Sequence, residues 1–172
     1  CKQDGMALTY VIKQTDAICY QAFINNKKSF IYVRKQTEDL CLKVVAKDPL
    51  IITDISIQTD AICKLAIETD PVSILYIRDQ KYEYCEIAVS INPFALQFIR
   101  IQTESLCRIA VMKNGLAIRY VHDQTPELCI CAIDQTPMSI CYIRDQTQEL
   151  CDKILSQTNI SRNFIRNLRL LI

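Results

Sequence analysis

Two rows of residues in this chain could do chemistry: cysteines and arginines. Cysteine stands at 19, 41, 63, 85, 107, 129 and 151, each step being 22 residues. A thiolate is a nucleophile and a metal ligand, and two thiols can form a disulfide. The spacing argues against all three uses. No C-x-x-C pair offers a zinc site, and Cys129 and Cys131, two apart, diverge on a helix. Helices of neighbouring repeats pack ~9–10 Å apart, beyond the roughly 7 Å between Cα atoms that a disulfide spans. The row therefore reads as a small, soft apolar column facing a core, which suits a reducing compartment. Cys1, Cys131 and Cys141 lie off the column and are the candidates for exposed thiols.

The second row is Arg34, Arg78, Arg100, Arg144 and Arg166, with His122 in phase. Such a row is a candidate site for phosphates or an acidic partner. It is equally able to pair with acids in the first turn of the following helix, at Asp39, Glu83, Glu104, Glu127 and Glu149, where both charges suit the helix dipoles. A third candidate is apolar. Two residues after the column cysteine come Leu65, Ile87, Ile109 and Cys131, which make a partner groove if exposed and ordinary inter-repeat packing if buried. A glutamine row (14, 36, 58, 80, 102, 124, 146) reads as amides that satisfy loop backbone groups. An aromatic row (Tyr10, Tyr32, Tyr76, Phe98, Tyr120, Tyr142, Phe164) reads as rings filling the gap between two helix layers.

Nothing else in the chain points to catalysis. His122 is the single histidine, and G-x-S-x-G, phosphate-loop and H-E-x-x-H patterns are missing. The expectation is a protein that is not an enzyme, with no cofactor and no metal site. Lys and Arg number 20 against 19 Asp and Glu, a net charge of +1, which lacks the basic excess of a general nucleic-acid binder. Ser156 to Ile172 departs locally, with Arg162, Arg166 and Arg169 and no acid. No stretch nears the ~18 apolar residues of a membrane span. A start at Cys1 without Met leads us to expect a fragment or a processed chain.

The elements that position these rows follow from the same period. Each 22-residue repeat has two related 11-residue halves. The first reads Gln-Thr-x-x-(Leu/Ile)-Cys-x-x-Ala-(Val/Ile), as in QTESLCRIAVM from 102. The second reads like INPFALQFIRI from 91. Thr, Asp or Asn opens nearly every half, where its side chain can accept the free N–H groups of a helix start. Proline follows at 49, 71, 93, 126 and 137, where its missing N–H costs nothing. Apolar pairs spaced by three or four are helical stripes, not strand alternation. A leucine-rich-repeat horseshoe of similar period needs an L-x-x-L-x-L strand, which these halves lack.

The expected fold is all-α: an α-solenoid of short antiparallel helix pairs, about 8–9 residues per helix, too short to stand alone. It spans 1–172 as a single domain of about seven repeats. The core position of Leu8, Phe30, Ile52, Ile74, Leu96, Ile118 and Ile140 becomes Arg162 in the last half, so 157–172 reads as a C-terminal capping unit.

The phrases QTDAIC, QTEDLC, QTESLC and QTPELC, with KNGLAIRYV at 113–121, resemble a repeat of giant DNA virus proteins of the mimivirus type, N-Q-T-x-E-x-C-x-x-A-V-x-x-N-G-x-A-L-x-Y-V. The departures are Lys81 for the cap threonine, Asp54 for the ring, and Asn25-Asn26-Lys27-Lys28 for the Pro/Gly turn. The resemblance implies a viral protein, in the virion or in the viral factory of the host cytoplasm, and brings no catalytic residues. The reading as a whole is a non-catalytic scaffold for protein–protein interaction or viral assembly, with a protein partner or self-assembly and no membrane. The alternative is RNA binding through the arginine row.

Overall fold

The computed structural model describes residues 5–157. Among them seven α-helices alternate with seven 3-10 helices, and there is no strand. This is the all-α repeat architecture expected from the period, with a difference between the halves. Each first half is a 10-residue α-helix and each second half a six-residue 3-10 helix. The equal helices of about 8–9 residues are thus corrected to a long and a short element.

The chain forms two compact units, Cys1–Tyr84 and Cys85–Ile172. In the first, η1 (Gly5–Tyr10), η2 (Lys27–Tyr32), η3 (Pro49–Asp54) and η4 (Pro71–Tyr76) pack as one row. The helices α1 (Asp16–Asn25), α2 (Glu38–Lys47) and α3 (Asp60–Thr69) pack as the other. The helix α4 (Tyr82–Ile91) carries the boundary between units. The second unit repeats the arrangement with η5 (Pro93–Phe98), η6 (Gly115–Tyr120) and η7 (Pro137–Tyr142) beside α5 (Glu104–Lys113), α6 (Pro126–Gln135) and α7 (Gln148–Gln157). Apart from Gln157, the expected capping unit 157–172 lies outside the described residues, as does the arginine expected at its core position.

Local chemistry explains the two helix types. Before an α-helix the cap threonine is extended, and its Oγ1 accepts the N–H three residues on, as Thr37 does from Leu40 (3.3 Å). Its carbonyl accepts the N–H of the column cysteine (Cys41 to Thr37, 3.0 Å). Before a 3-10 helix, Asn or Asp instead accepts the N–H only two residues on, as Asp70 does from Val72 (3.0 Å). That tight turn leads into i→i+3 bonding. The element ends on an extended, mostly β-branched residue such as Ile77 (φ −75°, ψ 125°), whose N–H closes on Ile74. Spacings of three within these halves, Phe30 to Val33 or Leu96 to Ile99, suit three residues per turn.

The core lies between the two rows. In the first unit Ile52, Ile55, Ile62, Ile67 and Ile74 are fully buried, as are Leu96, Val111, Ile118, Ile133 and Ile140 in the second. Each such side chain contributes roughly 1.5–3 kcal/mol by leaving water. No single half can bury its stripe alone, so the repeats hold one another.

Candidate functional site

The glutamine row is wholly engaged within the fold. Gln58 Nε2 donates to Ile52 O (3.0 Å) and Tyr76 O (3.2 Å), and its Oε1 accepts Arg78 N–H (2.9 Å). Gln102 does the same with Leu96 O, Tyr120 O and His122 N–H, at 3.0, 2.9 and 2.9 Å. One amide thus staples the preceding 3-10 helix to the following one. Gln36 keeps this role where Ser56 replaces arginine, accepting both Ser56 N–H and Oγ–H at 2.8 Å. As the sequence suggests, these amides serve the backbone.

The column cysteines 19, 41, 63, 85, 107, 129 and 151 are buried, free thiols. Several lean on the glutamine position: Cys63 Sγ donates to Gln58 O (3.8 Å) and Cys107 Sγ to Gln102 Oε1 (3.7 Å). Burial pushes all seven thiols above their usual range, Cys129 to about 11. Near neutrality they are protonated, which makes them poor nucleophiles and poor ligands. Among the described residues no group of three His, Cys, Asp or Glu could hold a metal ion. Off the column, Cys131 and Cys141 are half-buried, and Cys1 lies outside the described residues.

The arginine row uses its guanidinium groups in a way the sequence does not announce. Arg78 donates to Ser56 O and Ile55 O, both at 2.7 Å. Arg144 donates to His122 O (2.7 Å) and Val121 O (2.8 Å), and Arg34 to Thr9 O (3.0 Å) and Ile12 O (3.4 Å). Each reaches back one repeat and holds backbone carbonyls at or just beyond the end of the preceding 3-10 helix. Arg34, Arg78, Arg100, His122 and Arg144 are all exposed residues, and Arg166 lies outside the described residues. Backbone carbonyls carry no mark in a sequence, so these partners were not legible there.

The apolar candidates are intermediate. Leu65 in the first unit and Ile87, Ile109 and Cys131 in the second are all half-buried. In the second unit Cys131 joins Met112, Asp134 and Gln135 around a cavity of about 270 Å³. The aromatic row requires a correction. Tyr10, Tyr76 and Tyr142 are exposed, and Tyr32, Phe98 and Tyr120 half-buried, so these rings are not interlayer filling. Each is the last residue of a six-residue 3-10 helix, which leaves it at the open end. In the second unit Arg119 lies 4.8 Å from the Tyr120 ring centroid and 5.0 Å from that of Tyr142.

A cleft recurs where the first turn of one α-helix meets the cap of the next. In the first unit a donor from the following repeat closes on the leading acid at every such junction. Thr37 Oγ1 donates to Asp16 (2.5 Å) and Thr59 Oγ1 to Glu38 (2.6 Å). At the third junction Lys81 replaces threonine and Tyr84 replaces an aliphatic residue; Lys81 Nζ (2.7 Å) and Tyr84 OH (2.6 Å) both donate to Asp60 Oδ1. These bonds hold the Asp60 carboxyl below its usual range, while burial, then the bond to Asp60, pushes the Tyr84 phenol up to about 12. This cleft measures about 340 Å³ and includes Arg78 and Asp79. Its counterpart in the second unit measures about 180 Å³ and is lined by Glu104, Cys107, His122, Asp123, Thr125 and Leu128. Comparison of the chain with protein-family models, curated proteins and solved structures finds no match.

Proposed function

We propose that the chain is a non-catalytic repeat scaffold that engages a protein partner through its outward helix positions. One observation carries this: the polar side chains that define the repeat are engaged in bonds within the fold. Glutamine amides, cap hydroxyls and arginine guanidinium groups staple one repeat to the next. What differs from repeat to repeat lies at exposed or half-buried positions one and two places after the column cysteine: half-buried Tyr20, Leu42, Ile109, Ile130 and Cys131, and exposed Gln21, Lys43 and Arg108. A surface that varies on a constant frame suits recognition of one particular partner. The apolar run of the second unit, Ile87, Ile109 and Cys131 with exposed Met112, is the centre of that surface.

The resemblance to giant-virus repeats supports a role in a virion or in infected cytoplasm, and seven protonated thiols suit a reducing compartment. Among the described residues no helix is long and apolar enough to cross a membrane. RNA binding through the arginine row is disfavoured because Arg34, Arg78 and Arg144 already bond carbonyls. The test is proximity cross-linking in producing cells, followed by reconstitution with the recovered protein. Ile109→Glu and Met112→Glu are expected to abolish the complex while leaving the melting temperature within ~2 °C of the parent. An unaffected complex, or an RNA complex that weakens steeply with salt, would overturn the reading.

A further inference from the structure

The outward face of the second unit's 3-10 row carries an arginine that the fold does not use as it uses the others. Arg119 lies over two tyrosine rings, 4.8 Å from the Tyr120 centroid and 5.0 Å from the Tyr142 centroid. Among the described residues its guanidinium makes no hydrogen bond and no ion pair. Arg34, Arg78 and Arg144, by contrast, spend theirs on backbone carbonyls. In the other described repeats the place of Arg119 holds Thr9, Ile31, Thr53, Leu75, Gln97 and Cys141, none of them charged. The period therefore does not call for an arginine here.

The surroundings are apolar and aromatic. Phe94 meets Tyr120 edge to face, with ring centroids 6.1 Å apart. Half-buried Leu116 and exposed Met138 hold the place of Phe94 in the next two 3-10 helices. In the first unit Asp54 interrupts the ring column, but in the second Phe98, Tyr120 and Tyr142 run unbroken. Across η5, η6 and η7 Arg119 is the single charged side chain. A guanidinium flanked by rings is partly stripped of water and partly immobilised, while its N–H fork stays free for a planar anion. Tyrosine and arginine are also the residues that most often dominate protein interfaces.

Charge decides between anions. Tracking a nucleic-acid backbone takes several cations in a row. This face offers one, and exposed Asp123 and Asp145 follow η6 and η7 in their loops. A polyanion is repelled there, whereas one carboxylate set among apolar side chains is complementary. We propose that the 3-10 face of the second unit docks a protein segment bearing an aspartate or glutamate beside large apolar residues. The carboxylate bonds the Arg119 fork, and the apolar neighbours cover Phe94, Leu116, Met138 and Tyr142. This face lies across the core from the α-helical surface and does not rest on it; Ile109→Glu and Met112→Glu test that other surface separately.

The experiment is a display selection of short random peptides on the whole chain, with enriched peptides then synthesised and titrated by fluorescence anisotropy. Enriched peptides are expected to carry an acid next to large apolar residues. Arg119→Gln, at an exposed position, is expected to weaken them at least about tenfold, as is changing their acid to its amide. Arg119→Lys keeps the charge but not the fork and restores only part of the loss. If Arg119→Gln fails to fold, the amide peptide carries the test. Several results would overturn the proposal: no enrichment, enriched peptides without an acid, or equal binding by folded Arg119→Gln. So would single-stranded RNA bound at this face with steep salt dependence, or a dimer of the chain that Arg119→Gln dissolves.

Discussion

The thiol of Cys129 shows what burial does to a reactive group. Its pKa is raised to about 11, mainly by desolvation, against 9.0 for a free cysteine. The neutral form is therefore favoured in the folded chain. Between those two values the unfolded chain gives up a proton that the folded chain keeps, so stability is full below about pH 9 and falls as pH rises towards 11. Urea melts at pH 8, 9, 10 and 11 are expected to show this decline, and Cys129→Ala should make it shallower, the other six column thiols still contributing. Gln102 makes the opposite case, a side chain whose value lies in its bonds. Gln102→Leu strands Leu96 O, Tyr120 O and His122 N–H, which the amide now bonds. Part of that backbone can reach water, so the expected loss is about 1–3 kcal/mol by chemical denaturation. A loss below about 0.5 kcal/mol would mean that the staple is decorative.

Among the elements, η6 meets a close neighbour at Gly115. A Cβ added at Gly115 would lie 2.3 Å from Ala132 O and 2.9 Å from Thr136 Cβ. Its backbone φ is not positive, so glycine is required here by the close approach of α6 and not by a left-handed turn. Gly115→Ala is expected to destabilise the second unit by about 1–3 kcal/mol, since packed backbone must shift. Thermal melts would read this as a lower midpoint, and an unchanged midpoint would count against the contact. In the sequence Gly115 shares its place with Pro49, Pro71, Pro93 and Pro137 and looks like one more turn residue. Only the neighbouring repeat reveals the different reason. The caps were easier to read, because Thr37 or Asp70 acts on its own chain two or three residues away. Yet the cap pattern alone did not separate α from 3-10, since both types begin with an extended residue bearing a side-chain oxygen.

For the whole molecule the unit of construction is 22 residues, not 11, because the two halves fold differently and pack in separate rows. Deleting 102–123 joins Ile101 to Gln124 and preserves the order of halves. That variant is expected to keep a cooperative, helical melt by circular dichroism at a lower midpoint. Deleting 102–112 sets two 3-10 halves in succession, removes the α-helix that packs on both, and is expected to abolish cooperative unfolding. Equal behaviour of the two would refute the asymmetric repeat. By itself the sequence determined the period, the helical class, the caps and the buried places of Cys107, Leu96 and Ile118, because periodic burial and local capping act within a few residues of the chain. Tertiary structure decided that Arg78 clamps Ser56 and Ile55 carbonyls, that Tyr142 faces outward, and that Glu104 and Thr125 stand apart across a cleft. Those outcomes depend on backbone groups and distances about 22 residues away, which residue types and spacing do not encode.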